Sequence, residues 1–445
     1  MSARVTVTTE VVASPPPGLS VPAGQAFILG ATQKGPIDRA VAVTGLAGFQ
    51  ATFGERSGGS DTYDLVESAF KDGLAQAWIV RMAGPAAAKA TKAVSTLTVT
   101  ATSEGAWGNS ITVEWVNSTK VLKVSGVDYP CSDVATLQSA LALGSAPVTV
   151  SGSAIPTSDV SSGSLSGGTD DAGNAVLATR LALFNASLGD GAVTIVGKAS
   201  ADVETDLAAH CNATSRHGLI PAASGTTLAQ ALSELAALGD STLNLVWPYA
   251  TAGAKTYAPT GAALGARARA LATGNPVQSP IAPQFAVSRF LDGVVTEITD
   301  AEWLTANAAG LTVLRGVTGQ VRLAGWRTVS APGGVRTLQS ANYRDLINRV
   351  EAGCNQVAQE FVGATIDGKG LALSAFASRL AAFMDSISVA FTAGPSDPGY
   401  FVDTSINTPE QIALGNIAAN VSFRAAGTAE FIVIKVTATD AAGTL

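Results

Sequence analysis

The sequence predicts a multidomain α/β (α+β) protein: a mixed-sheet core with flanking helices, an inserted β-rich domain, and extended terminal strand arms. Three observations carry that expectation. Short apolar runs alternate with helical periods in two separated stretches of the chain. A tract of Thr/Val alternation and Ser/Gly-rich loops lies between those stretches. A strand-like segment stands at each end, the first set off by three consecutive prolines. At 445 residues the chain is long enough for more than one domain.

The elements follow in order. "QAFILGATQKGP" (25–36) reads as a buried strand ending in a Gly-Pro turn. "DTYDLVESAFKDGLAQA" (61–77) reads as a helix, with Asp61 as its N-cap and Tyr63, Val66, Phe70 and Leu74 on one face. "WIVRM" (78–82) is the next strand. From 93 to about 190 come "STLTVTA", "NSITVEWV" and "VLKVSGVDYP", interrupted by a polar Ser/Gly run, which is the pattern of an inserted domain. The α/β alternation resumes at "AVTIVG" (192–197), with helices over 201–214 and 227–238 and a strand in "LNLVWPYA" (243–250). "LTVLRG" and "VRLAGWRTVS" are further strands. The last third turns helical: Leu346, Val350, Val357 and Phe361 keep one phase, and Phe376, Leu380, Phe383, Ile387 and Phe391 keep another. "AEFIVIKVTAT" (429–439) alternates as a final strand.

Composition narrows the function. Hydrophobic residues make up 47% of the chain and mean hydropathy is +0.30, so it is not a disordered polymer. Only 14% of residues are charged, against about 25% in an average soluble protein. A surface of Ala, Gly, Ser and Thr suits a subunit covered by neighbours, although an alanine-biased genome produces the same composition. The net charge of −7 lacks the basic footprint that nucleic-acid binding needs. Cys131, Cys211 and Cys354 are far apart and show no metal-ligand spacing. No basic-then-apolar leader and no run near about 18 apolar residues occurs, so a soluble product made in the cytoplasm is expected.

The chemistry-bearing residues are sparse. His210 adjoins Cys211, and His217 follows, but no motif organises them as a nucleophilic pair, and structural roles are expected. "GATQKGP" lacks the Gly-Lys-Ser/Thr ending of a phosphate loop. "TDDAGN" (169–174) has too few acidic ligands for a calcium loop and reads as a solvated turn. No catalytic, cofactor or metal site is expected, and the chain is read as a non-enzyme.

Pro15, Pro16 and Pro17 favour an extended polyproline path, holding Val5, Val7 and Val11 away from the first core strand. A tethered strand needs an acceptor, either the chain's own sheet or a sheet edge on another subunit. Donors at both ends, with Ile432, Ile434 and Val436 on the C-terminal face, would link each copy to two others.

The order of segments resembles the contractile tail sheath proteins of bacteriophages and related contractile injection systems. "FILGATQKGPIDRAVAVTGLAGFQATFG" (27–54) resembles that family's strand, Gly-Pro turn and Phe…Phe-Gly segment, including Gly35 and Pro36. "EGAWGNSITVEW" (104–115) is similar to its Gly-x-Trp-Gly-Asn signature, carried by Gly105, Trp107, Gly108 and Asn109. "AFKDGLAQAWIVRM", "DAEWLTANAAGLTVLRG", "LAGWRTVS", "YRDLINRVEAGCNQVAQEFVG" and the terminal "AEFIVIKV" complete the likeness, with the Gly325–Trp326 order inverted. About 120–190 and 250–285 stay unassigned.

The resemblance implies the following division: an N-terminal arm (1–22), the first part of the core (23–84), an outward β-rich insertion (85–190), the rest of the core (191–335), an inner helical region (336–427) and a C-terminal arm (428–445). It implies a virion protein, assembled in the host cytoplasm, that polymerises helically around a tail tube and meets baseplate and tail terminator proteins. Strand addition from both termini would link subunits while contraction from a metastable state drives the tube through an envelope, without nucleotide, nucleic acid or membrane insertion. Arg344, Arg349 and Arg379 are candidate tube-facing residues, although an ordinary solvated helix face is about three times the better account of such charges. A β-rich virion surface or receptor-binding module is the alternative reading, favoured by the Ser/Gly/Thr-rich insertion and disfavoured by the long helices of 341–391.

Overall fold

Residues Ala26–Gly30 are buried at every position, as a strand covered on both faces must be. The structure, a computed structural model, describes residues 24–56, 60–330, 336–366 and 370–428. Val5, Val7, Val11, Ile432, Ile434 and Val436 lie outside the described residues.

The core begins with β1 (Ala26–Gly30), β2 (Val41–Val43), α1 (Leu46–Phe53), α2 (Ser60–Lys71) and β3 (Ala77–Arg81). Asp61 falls in the first turn of α2, one residue inside its start. The insertion holds β4 (Thr91–Val94), β5 (Leu97–Ala101), β6 (Thr112–Val116), β7 (Val121–Val124), β8 (Val127–Pro130), α3 (Val134–Leu143), β9 (Val148–Gly152) and β10 (Val160–Ser164). The chain returns through α4 (Leu177–Leu181) to β11 (Ala192–Ile195), α5 (Ser200–Thr214), β12 (His217–Pro221), α6 (Leu228–Ala236) and β13 (Leu243–Trp247). Then come β14 (Ala250–Ala252), β15 (Lys255–Tyr257), α7 (Pro259–Leu271), α8 (Pro283–Ala286), β16 (Gly293–Val294), α9 (Asp300–Ala309), β17 (Thr312–Val317) and β18 (Gln320–Ala324). The last region is α10 (Arg336–Gln339), α11 (Ala341–Glu360), α12 (Leu371–Ser386), β19 (Tyr400–Asp403), α13 (Pro409–Ala413) and β20 (Asn420–Phe423).

The eight-stranded core sheet runs β18-β17-β13-β12-β11-β1-β3-β2. Its strands from β17 to β3 are parallel, and antiparallel β18 and β2 close the two edges. Side chains alternate between faces. Ile28, Ile79, Leu219 and Val246 pack with α2 and α7, while Leu29, Val80, Ile195 and Leu245 pack with α4, α5 and α6. The sheet is therefore doubly wound, and the winding reverses between β1 and β11.

Helix α7 lies in the stretch the sequence left unassigned. It is buried at every residue from Pro259 to Ala270, so it has no polar face and no amphipathic period to read. Its Ala and Gly residues let it press against α2: a Cβ on Gly265 would sit 2.4 Å from the Asp72 Cβ and 2.7 Å from the Asp72 carbonyl oxygen. Its two arginines face inward. The Arg267 guanidinium donates to both Asp345 carboxylate oxygens, which ties α11 to the core.

The insertion has its own apolar cluster, including Val99, Trp115, Leu122, Leu141, Val150 and Leu165, between sheets ordered β4-β5-β9 and β10-β6-β7-β8. Leu177, Leu181 and Phe184 pack instead on the core sheet. In the C-terminal region Leu346, Val350 and Val357 of α11 meet Phe376, Leu380 and Phe383 of α12 in a fourth cluster.

Gly265→Ala is expected to cost about 1–3 kcal/mol by forcing α2 and α7 apart. The urea midpoint reads this loss directly; an unchanged midpoint would mean that the helices have slack.

Candidate functional site

A charged residue ends the apolar strand β3, and its surroundings join the core to the insertion. Arg81 is 1% exposed. Its Nη1 donates to the Gly35 carbonyl oxygen at 3.1 Å and to the Glu104 carbonyl oxygen at 2.8 Å, while Nη2 donates to Asp170 Oδ1 at 2.5 Å. Asp170 Oδ2 accepts the Ala106 amide at 3.0 Å. One guanidinium thus holds a core turn, the loop between β5 and β6 and the turn that follows β10. Burial lowers the Arg81 pKa and Asp170 opposes that shift, so the group stays cationic at neutral pH.

The signature residues converge here. Gly105 has φ of +124° and lies so close that a Cβ would be 2.6 Å from Arg81 Nη2. Trp107 Nε1 donates to the Glu104 carbonyl oxygen at 3.0 Å. Gly108 packs against Ala90 and Ala101, and Asn109 exchanges two hydrogen bonds with the Gly168 backbone at 2.9 and 2.8 Å. The Gly35 amide donates to Ser103 Oγ at 3.1 Å. Gly35, Pro36 and Trp107 also line an open cleft of ≈ 660 Å³ between the two units. The "TDDAGN" turn is not merely solvated: beside Asp170, Asp171 Oδ2 accepts the Ala86 amide at 2.8 Å.

A second buried arginine holds the return. Arg216 is 0% exposed and donates to the carbonyl oxygens of Phe184, Asn185 and Gly189. It also stacks over the Phe27 ring at 3.7 Å and meets His210 Nε2 at 3.1 Å. Burial, then Arg216, pushes His210 down to about 4, which makes its Nε2 a neutral acceptor. Burial raises the Cys211 thiol far above its ordinary value. That thiol stays protonated, and His210 is occupied by a guanidinium. The pair has structural surroundings.

Arg344, Arg349 and Arg379 are each paired within the chain. Arg344 Nε donates to Asn348 Oδ1 at 2.9 Å and its Nη2 lies 3.6 Å from Glu351; Arg349 pairs with Asp190 at 3.3 Å; Arg379 meets both Glu360 oxygens at 2.9 and 3.1 Å. Among the described residues no group of three or more His, Cys, Asp or Glu side chains is placed to hold a metal ion, and no helix is long and apolar enough to cross a membrane.

At the far end, β19 and β20 form an antiparallel sheet of two strands. Tyr400, Val402, Val421 and Phe423 turn toward α12, and the Tyr400 hydroxyl donates to Asp385 Oδ1 at 2.6 Å. Phe401, on the other face, is 63% exposed. No other named strand of the described residues joins this sheet.

Solved sheath proteins share this architecture. A sheath tail protein from Desulfitobacterium hafniense is similar with a TM-score of 0.61 and 15% identity, over 91% of this chain and 94% of that one. A sheath tail protein from Listeria innocua gives a TM-score of 0.63 and 14% identity, over 86% and 89%. The contracted sheath of an extracellular contractile injection system, PVC, gives 0.62 and 13% identity, over 98% of each chain. No protein-family model and no curated protein matches the sequence. The chain has the fold of these tail sheath and injection-system sheath proteins, as the order of its segments in sequence led one to expect.

Two outcomes are expected. Arg81→Met should cost about 3 kcal/mol, since it leaves two carbonyl groups and Asp170 without their donor. Hydrogen exchange should rise first at 34–36 and 104–109. Because His210 in the folded chain takes up no proton until about pH 4, whereas unfolded histidine does so near 6.5, the unfolded chain binds more protons between those values. Stability should fall as pH drops through that window, and His210→Gln should flatten the slope in chemical denaturation.

Proposed function

We propose that this chain is the structural subunit of a contractile tail sheath, and that the observation carrying its mode of assembly is the two-stranded β19–β20 sheet. Two strands alone are marginal in water and gain stability from further strands. Residues 1–22 and 428–445, strand-forming in sequence, are the donors; a sheet edge on another copy of the chain is the acceptor. Backbone hydrogen bonds between extended strands form without a side-chain code, so such links persist while the larger bodies reorient.

In this reading the chain polymerises helically around a tail tube and meets baseplate and terminator proteins at the polymer's ends. Contraction releases conformational free energy stored at assembly and drives the tube through the target envelope during ejection of a genome or effector. The virion or injection-device tail is its place of action, after assembly in the host cytoplasm. The chain's own contribution is mechanical, and no catalytic step is assigned to it. The likeness to sheaths that includes a contracted assembly over 98% of both chains supports the reading. So does the joint at Arg81, which makes core and insertion one body able to transmit force.

Deletion of residues 430–445 should abolish polymer formation while leaving circular dichroism and the thermal transition of the body unchanged. Negative-stain electron microscopy of the full-length and shortened proteins decides it: ribbed tubes from both would sink the arm hypothesis.

A further inference from the structure

The doubly wound sheet carries an unassigned cleft where its winding reverses. Helix α2, after β1, lies on one face, and α5, after β11, lies on the other, so the two connections diverge above neighbouring strands. In open α/β sheets the crevice outside the carboxyl ends of the strands at this point is where ligands bind. Here it is an open cavity of ≈ 450 Å³, lined by Asp61, Asp64, Lys198, Pro221, Ser224 and Tyr249 among others. That volume lies within the range of small-molecule sites.

The lining selects the ligand. A phosphate group would have to approach the backbone at the end of β1, but Thr62 closes that space: a Cβ on Gly30 would fall 2.2 Å from Thr62 Oγ1. The Asp61 carboxylate also repels an anion. Asp64 is neutralised by Arg56, whose Nε and Nη2 each donate to it at 2.7 Å. Lys198 Nζ donates to the Gly173 carbonyl oxygen at 3.3 Å. Asp61 has no hydrogen-bond or ion-pair partner among the described residues, and it is the cleft's unpaired carboxylate. Tyr249 supplies an aromatic wall beside it. Burial raises the phenol's pKa, with Asp61 and then Glu234 adding to the shift, so the ring stays neutral at physiological pH.

We propose that this cleft binds a small organic cation, an alkylamine or alkylammonium, whose charge is met by Asp61 and whose alkyl body lies against Tyr249. An aromatic face and a carboxylate together recognise such a group through cation–π attraction and a charge-assisted hydrogen bond. The site lies on the core, apart from the β19–β20 sheet, so it is independent of the assembly reading.

Isothermal titration of the full-length protein with putrescine, spermidine and choline, with inorganic phosphate as the anionic control, tests it. Saturable one-to-one binding of at least one cation is expected. Asp61→Asn removes the charge at an exposed position and should weaken binding about tenfold or more. Ala223→Phe, at an exposed lining position, should abolish it by filling the cleft. Both variants should keep the wild-type circular dichroism and thermal transition. Three results would overturn the proposal: no saturation by any of the cations at millimolar concentration, equal affinity in both variants, or saturable binding of phosphate alone.

Discussion

The buried guanidinium of Arg81 is the constraint on which the placing of the insertion depends. Taking an arginine out of water costs several kcal/mol, and only a full set of acceptors offsets that cost. The acceptors here come from three distant parts of the chain: Gly35, Glu104 and Asp170. None of the three contacts can be given up singly without leaving a buried charge short of partners. The domain junction is therefore settled by a polar node of fixed geometry, where an apolar contact would tolerate sliding. Arg216 applies the same logic at the exit, gathering carbonyl groups from 184–189 beside Phe27 of β1.

Electrostatics of this kind also binds the C-terminal region to the core. The Arg267–Asp345 pair joins the most enclosed helix to α11, and Arg349–Asp190 adds a second tie nearby. His217 is fully buried 3.5 Å from Asp345 and packs edge-on to Trp326 at 5.5 Å. Burial keeps its pKa below the ordinary histidine value even with Asp345 beside it. Three units with separate apolar clusters are thus held together by buried arginines. Such joints resist rotation of one unit against another.

Much of the core was legible because its strands and helices are short, periodic and punctuated. Ala26–Gly30, Ala77–Arg81 and Ser200–Thr214 fall where apolar runs and helical phase placed them. The two helical stripes of the last third are also core faces, with Leu346, Leu380 and Phe383 buried. Helix α7 was opaque because burial on all sides erases the amphipathic period. The joint was half legible: Gly105, Trp107, Gly108 and Asn109 stood out as a motif, but Arg81 and Asp170 did not. They are 89 residues apart, and nothing local marks them as partners. A lone arginine closing the apolar run "AWIVR" was the available signal.

By itself the sequence determined the alternation of strands and helices and the presence of an inserted β-rich segment. These depend on side-chain period, turn chemistry and proline, which act over a few residues. Tertiary structure alone decided the strand order and its reversal between β1 and β11, the close seating of α7 on α2, and the partners of each buried arginine. Those features depend on contacts between residues tens to hundreds of positions apart, where a guanidinium or a missing Cβ has meaning only once its neighbours are in place.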